Sequence, residues 1–320
     1  MSLYKKIISS SKKINITVVG DLMLDKYIWG TANRISPESP VPIVLVESET
    51  ESLGGAGNVI ANLHGLGVNT NIVSIIGSDH NGKRVLQLLK LLGCNVDGVI
   101  KSKSSQTISK IRVLAQKQQV VRIDYETIEK IDNDEYELIN KTKRAMKNSR
   151  LVIISDYEKG TLTDKEISDI IKYANYLGIP VLVDPKRRDF KVFKNCACIT
   201  PNLKELYHAL PSFENSDEGI IRAGRTLKKK YNFENIIITR GKDGMSVLHN
   251  NNVFHLPTEA REVYDVSGAG DTVIATLAVC LSLGISYEDS TKIANTAAGI
   301  VVSHIGTVPI SLSELEPLIK

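Results

Sequence analysis

The chain has 320 residues, 42% of them hydrophobic and 24% charged, with a formal net charge of +4. That is a globular composition with enough chain for a large core, and the chain carries no low-complexity linker. Lysines and acids are interspersed rather than blocked, which argues against a nucleic-acid partner. The longest apolar run, 273–283, falls far short of the roughly 20 residues that cross a bilayer, so no membrane partner is expected.

The N-terminal MSLYKKIISSSKK lacks an apolar core segment and does not read as a secretory signal, and a cytoplasmic location is expected. The stretch INITVVG (14–20) then reads as a buried strand. Residues 28–46 alternate polar and apolar side chains, and so does 109–124 (SKIRVLAQKQQVVRID), with a hairpin turn expected near 115–117. Strands of that kind expose one face unless something covers it. They are expected to form a small separate sheet, a lid or a homodimer contact, over the main domain. An antiparallel extension of the main sheet is the alternative.

Elsewhere short β-branched runs alternate with amphipathic ones. Strands are expected at 70–77, 150–156, 180–184, 196–200 and 235–241, and helices at 57–66, 82–92, 133–148, 163–178, 216–231 and 271–283. Thr163 or Asp164 can cap the fourth helix, and Gly178 can stop it. This alternation predicts one α/β domain over 1–320, a three-layer α/β/α sandwich with right-handed crossovers and a β-sheet lid. The cysteines at 94, 196, 198 and 280 have neither zinc-knuckle nor redox-pair spacing and read as buried free thiols.

Three motifs fall short. GSDHNGKR (77–84) places Arg84 where a P-loop needs a hydroxyl, so Asp79 reads as a helix cap. SHIGT (303–307) has Thr307 where a nucleotidyltransferase H-x-G-H needs histidine. GGAGNVIANLHGLG (54–67) has no G-x-G-x-x-G register, which disfavours a dinucleotide oxidoreductase.

The segment DVSGAGDT (265–272) is different. Gly268, Ala269 and Gly270 leave backbone N–H groups unshielded at a helix start, which makes an anion hole. Asp271 sits at its mouth. A carboxylate beside an anion site makes sense if it must meet a hydroxyl about to attack a phosphoryl group; otherwise it is a plain cap.

The two segments GGAGNVIANLHGLG and DVSGAGDTVIATLA, with GDLMLD, NLKE and TRG in order between and around them, resemble the signatures of the ribokinase (PfkB) sugar kinases. Within that family RISPESPVPIV, SDYEKG, VLVDPK and TPNLKEL are similar to D-glycero-β-D-manno-heptose 7-phosphate kinases, which serve ADP-heptose and lipopolysaccharide core synthesis. The resemblance implies a kinase using ATP and Mg²⁺ to phosphorylate a sugar phosphate, either stand-alone or as the kinase domain of a fusion. Asp271 is implied as the base, with Gly268, Ala269 and Gly270 stabilising the moving phosphoryl group. A carboxyl at its ordinary pKa of about 3.9 would take the proton only as the new P–O bond forms.

For the sugar the implied residues are Asp25, Asn58, Asp21 and Gly55, with Asp156 and Asp184 at strand ends. Arg34, Lys110, Arg112, Arg122 and Lys186 are available for its phosphate. Asn202 and Glu205 would organise Mg²⁺ through water, and Thr239, Gly241, Gly244, Asn295 and Ala298 would form the adenosine pocket. Arg187 and Arg188, where small residues are usual, read as solvated charge or as extra phosphate contacts. Another kinase of the same family, and a non-catalytic sugar or nucleotide sensor, are the competing readings.

Overall fold

The computed structural model describes residue 7 and residues 11–116, 118–126, 135–259 and 263–318. Its main sheet has nine strands. They are β1 (Asn15–Gly20), β4 (Asn69–Gly77), β5 (Asn95–Ser102), β8 (Leu151–Asp156), β9 (Val181–Pro185), β10 (Cys198–Ile199), β11 (Asn235–Thr239), β12 (Met245–His249) and β13 (Asn252–Leu256). In space the order is β13-β12-β11-β10-β9-β8-β1-β4-β5. All neighbours are parallel except β11/β12 and β12/β13.

Strand side chains point alternately to the two faces. On one face Ile16, Val18, Ile72, Ile153 and Leu182 join a core with helices α1 (Ala56–Gly65), α2 (His80–Leu91), α7 (Ala269–Ser282) and α8 (Tyr287–Val301). On the other Val19, Val73, Ile154 and Val183 pack with α3 (Glu135–Met146), α4 (Asp164–Tyr176) and α6 (Asp217–Tyr231). The short helices α5 (Leu203–Ala209) and α9 (Leu312–Leu315) complete the set. This is the expected three-layer α/β/α sandwich. All four cysteines are free and buried. No helix among the described residues is long and apolar enough to cross a membrane.

The helix starts follow local chemistry. Asp79 caps α2 by accepting from Gly82 N, and Thr163 with Glu166 makes a capping box for α4. Gly178, at φ 67°, follows the end of α4.

The second sheet, ordered β3-β2-β6-β7, is separate from the first. It comprises β2 (Leu22–Ile35), β3 (Pro42–Gly55), β6 (Ile108–Ala115) and β7 (Gln118–Tyr125). The chain leaves β1, enters β2 at Leu22 and returns along β3 directly into α1. The first lid segment thus begins six residues earlier than the alternation predicts, because its opening residues Leu22, Met23 and Leu24 are all buried and apolar, whereas the second begins within one residue of expectation. Lys117, expected in the β6–β7 turn, and residues 133–134, expected to open α3, lie outside the described residues.

Cross-strand partners share a face. Asp25, Lys110 and Asp124 are in register, as are Tyr27, Arg112 and Arg122, so one face of the small sheet is polar and charged. Ile28, Val113 and Val121, with Ile111 and Ile123, occupy the other. On that face Val121 and Ile123 are 46% and 42% exposed among the described residues.

Candidate active site

At the C-terminal ends of β8, β9, β10 and β11 lies a cavity of about 670 Å³. Open α/β sheets bind their ligands at this end. Its wall includes Asp184, Lys186, Asn202, Glu205, Thr239, Gly241, Gly244, Asn295, Ala298 and the turn 268–271. The residues expected around the nucleotide are therefore gathered in one place. Tyr157, Thr200, Lys242, Val263 and Val302, which sequence reasoning missed, share the lining.

The first turn of α7 projects into this cavity. Gly268 is the N-cap at φ 81°, with no side-chain cap bond. A Cβ there would lie 2.6 Å from Asn58 Nδ2, so the position excludes larger residues by conformation and by space. Asp271 is buried and spends neither oxygen on its own helix start. Its Oδ2 accepts from Asn58 Nδ2 at 2.8 Å, and its Oδ1 accepts from the Tyr157 hydroxyl at 3.0 Å. The capping alternative does not describe this geometry. Burial, reinforced by the Asp184 carboxylate, raises the Asp271 pKa to about 7, while Asn58, Lys186 and Tyr157 pull the other way. The ordinary carboxylate expected from sequence is thus replaced by a carboxyl that titrates near neutrality.

Lys186 binds Asp184 Oδ1 and Oδ2 at 3.0 and 3.1 Å and Glu205 Oε1 at 3.0 Å. Its ammonium also stands 5.3 Å from the centre of the Tyr157 ring. Burial raises the Glu205 pKa, and Lys186 opposes the shift. The N-x-x-E residues form a capping box on α5: Asn202 Oδ1 accepts from Glu205 N, and Glu205 Oε2 accepts from Asn202 N. Glu205 therefore caps with one oxygen and faces Lys186 with the other. Lys186, grouped by sequence with the cations available for the sugar phosphate, sits among Asp184, Glu205 and Tyr157 in the cavity wall.

Of the residues expected around the sugar, Asn58 lies in the first turn of α1, bonded to Asp271. Gly55, at φ 57°, caps that helix, and a Cβ there would meet Asp21 O at 2.4 Å. Asp25, on the lid strand β2, is paired with Arg112 at 2.8 Å, and Arg112 also lies over the Tyr27 ring. Lys110 stands beside Asp25 in register. Arg122 pairs with Asp124 at 2.9 Å on the exposed strand β7.

Three of the expected sugar residues are placed elsewhere. Asp21 accepts from the backbone N–H groups of Tyr157, Lys159 and Thr161 and so moulds the loop after β8. The Asp156 carboxylate turns away from the cavity to Arg187 and Glu158 N. Arg34 is exposed and nine residues beyond Asp25, roughly 30 Å along the strand. Arg187 is not solvated charge. Its side chain is 13% exposed, pairs with Asp156 and Asp164, and donates to Leu162 O at 2.6 Å. Arg188 is exposed.

A sandwich with a cavity at its strand ends, a glycine-rich helix start in that cavity's wall and a buried carboxylate beside it is the architecture of a phosphotransferase of the sugar-kinase kind. The chain matches the pfkB family carbohydrate kinases over residues 13–314 and belongs to that family. It is 43% identical over 310 residues to the bifunctional protein HldE of Campylobacter curvus, covering 97% of this chain and 66% of that one. The HldE of Geobacter sulfurreducens is 41% identical over 304 residues, covering 94% and 62%. The chain thus spans less than two thirds of the length of these relatives. Among solved structures it resembles Arabidopsis thaliana ribokinase complexed with ribose and ATP (TM-score 0.76, 20% identity, covering 96% of this chain and 99% of that one). It also resembles Escherichia coli phosphofructokinase-2 in complex with substrates and products (TM-score 0.81, 17% identity, 95% and 98%).

Proposed function

We propose that this chain transfers the γ-phosphoryl group of ATP to the anomeric hydroxyl of D-glycero-D-manno-heptose 7-phosphate, giving the 1,7-bisphosphate used for ADP-heptose. The observation that carries the reading is Asp271, buried and held by two donors at the start of α7, in the wall of the cavity. In this reading the N–H groups of 268–270 and the helix dipole stabilise the phosphoryl group in transit. Asp271 orients the sugar hydroxyl and accepts its proton. Asn58 and Asp25 bind neighbouring hydroxyls, since amide and carboxylate suit vicinal diols.

The donor set also fits Mg²⁺. Among the described residues no group of three or more His, Cys, Asp or Glu could cage a metal. Mg²⁺ on phosphates needs only one or two carboxylates and keeps its waters. Asn202 and Glu205 would hold that water shell, and the bound ion would neutralise phosphate charge.

The choice of a phosphosugar is supported by the three cations Lys110, Arg112 and Arg122, which share the polar face of the lid with Asp25. Hydroxyls alone need no such group. A charge-assisted hydrogen bond contributes roughly 1.5–3 kcal/mol, so two of them favour the phosphosugar by about 10²–10⁴ in kcat/KM. ADP release with ATP and Mg²⁺ should therefore be fastest per unit concentration for heptose 7-phosphate, against free heptose and fructose 6-phosphate. Equal specificity constants for free and phosphorylated heptose would leave only a generic sugar kinase. The exposure of Val121 and Ile123 on the apolar face of the lid supports a homodimer in which a second copy of this chain occupies that face.

A further inference from the structure

Tyr157 is absent from the sequence-derived site, yet it is the group that links the Asp271 carboxylate to the lysine network. It follows β8, and Asp21 fixes its backbone by accepting from Tyr157 N at 2.8 Å. Its hydroxyl reaches Asp271 Oδ1 and its ring lies under the Lys186 ammonium. Asn58 holds the other Asp271 oxygen. We propose that Tyr157 is a positioning residue for phosphoryl transfer, whose phenol fixes and ionises Asp271 from one side while Asn58 does so from the other, leaving the remaining lone pairs of the carboxylate for the sugar hydroxyl. The inference rests on the reading of Asp271 as the base.

The direction of the bond follows from chemistry. Burial and the Asp271 and Asp184 charges push the phenol well above its ordinary pKa, so Tyr157 stays protonated and donates. A donor to the ionised form favours that form. The other groups facing Asp271 are Asp184, at the end of β9, and Lys186 beside it, whose charges act in opposite directions. Removing the phenol hydrogen leaves both in place and takes away one donor to the carboxylate.

The test is the pH dependence of kcat/KM for the sugar in Tyr157→Phe and wild type, with ATP affinity measured separately. The acid limb of the variant should move up by about one pH unit. At pH 7 that is a fall of about fivefold, recovered largely above pH 9, with the Kd for ATP changed less than about twofold. Wild-type protein carrying 3-fluorotyrosine makes the test independent of the variant's folding. Its more acidic phenol is a stronger donor, so its acid limb should move down. Loss by the same factor at every pH, or no movement of the limb in either preparation, overturns the assignment. If Asp271→Asn is inactive while those limbs stay fixed, only the role of Tyr157 fails. If Asp271→Asn is active, the base itself has been misassigned.

Discussion

At Asp271 a single carboxylate answers to burial, to the repulsion of Asp184 and to two donors, and the balance sets its pKa at about 7. A base must be ionised to act, so kcat/KM should fall on the acid side of about pH 7, and a profile flat down to pH 5 would contradict that assignment. The stability effect has the opposite sense. The folded pKa lies above the unfolded value, so the native state binds the extra proton and stability declines as pH rises from about 4 to about 7. Asp271→Asn should accordingly melt no lower than wild type at pH 8, and a lower melting temperature there would show that the charge is stabilising. Gly268→Ala should cost about 1–2 kcal/mol for the left-handed backbone and should displace Asn58, lowering kcat as well. Wild-type kcat in that variant would mean that the turn tolerates a side chain. Asp271, Gly268 and Asn58 are legible in the sequence because the turn and the motif leave few other uses for them. Tyr157 is not, because the adjacent Asp156 carries the more reactive group, and only the fold shows that Asp156 turns to Arg187 while the phenol enters the cavity.

Among the elements, the strands and helices with clean periodicity fall where the sequence places them, within a few residues. Helix α8 and the antiparallel pair β12–β13 do not announce themselves. In α8 buried polar residues such as Ser290, Thr291 and Asn295 blur the apolar stripe, and β13 is a half-exposed edge strand. Arg187 shows how an element is tied by a residue that looks like surface charge. It clamps the start of α4 to the end of β8 through Asp164, Leu162 O and Asp156. Arg187→Ala leaves Asp156, 1% exposed in its side chain, without its counter-charge, and should destabilise by roughly 3 kcal/mol or more. Adding Asp156→Asn should return part of that loss in a denaturant titration. A single-variant effect below about 0.5 kcal/mol would return Arg187 to the surface.

For the whole molecule, the lid sheet has two unlike faces. One carries Asp25, Lys110, Arg112 and Arg122, and on the other, apolar face Val121 and Ile123 are exposed among the described residues. Pairing two copies about a two-fold axis would cover it and blunt the exposed strand β7. Sedimentation at low micromolar concentration should give twice the chain mass, and Val121→Lys with Ile123→Lys should give one. A wild-type monomer would sink this assembly. The separate lid is readable from the 28–46 and 109–124 alternation, but its packing is not, because periodicity shows that a face is apolar without showing what lies against it. In the proposed reading these features serve the transfer of a phosphoryl group to a sugar bound between lid and sandwich. The most direct test is ADP formation by Asp271→Asn with ATP, Mg²⁺ and heptose 7-phosphate at pH 8. A loss of at least about 10² in kcat, with ATP affinity within about twofold of wild type, is the result the site predicts. Retention of more than about half of wild-type kcat would contradict it and reduce Asp271 to a structural acid at the head of its helix.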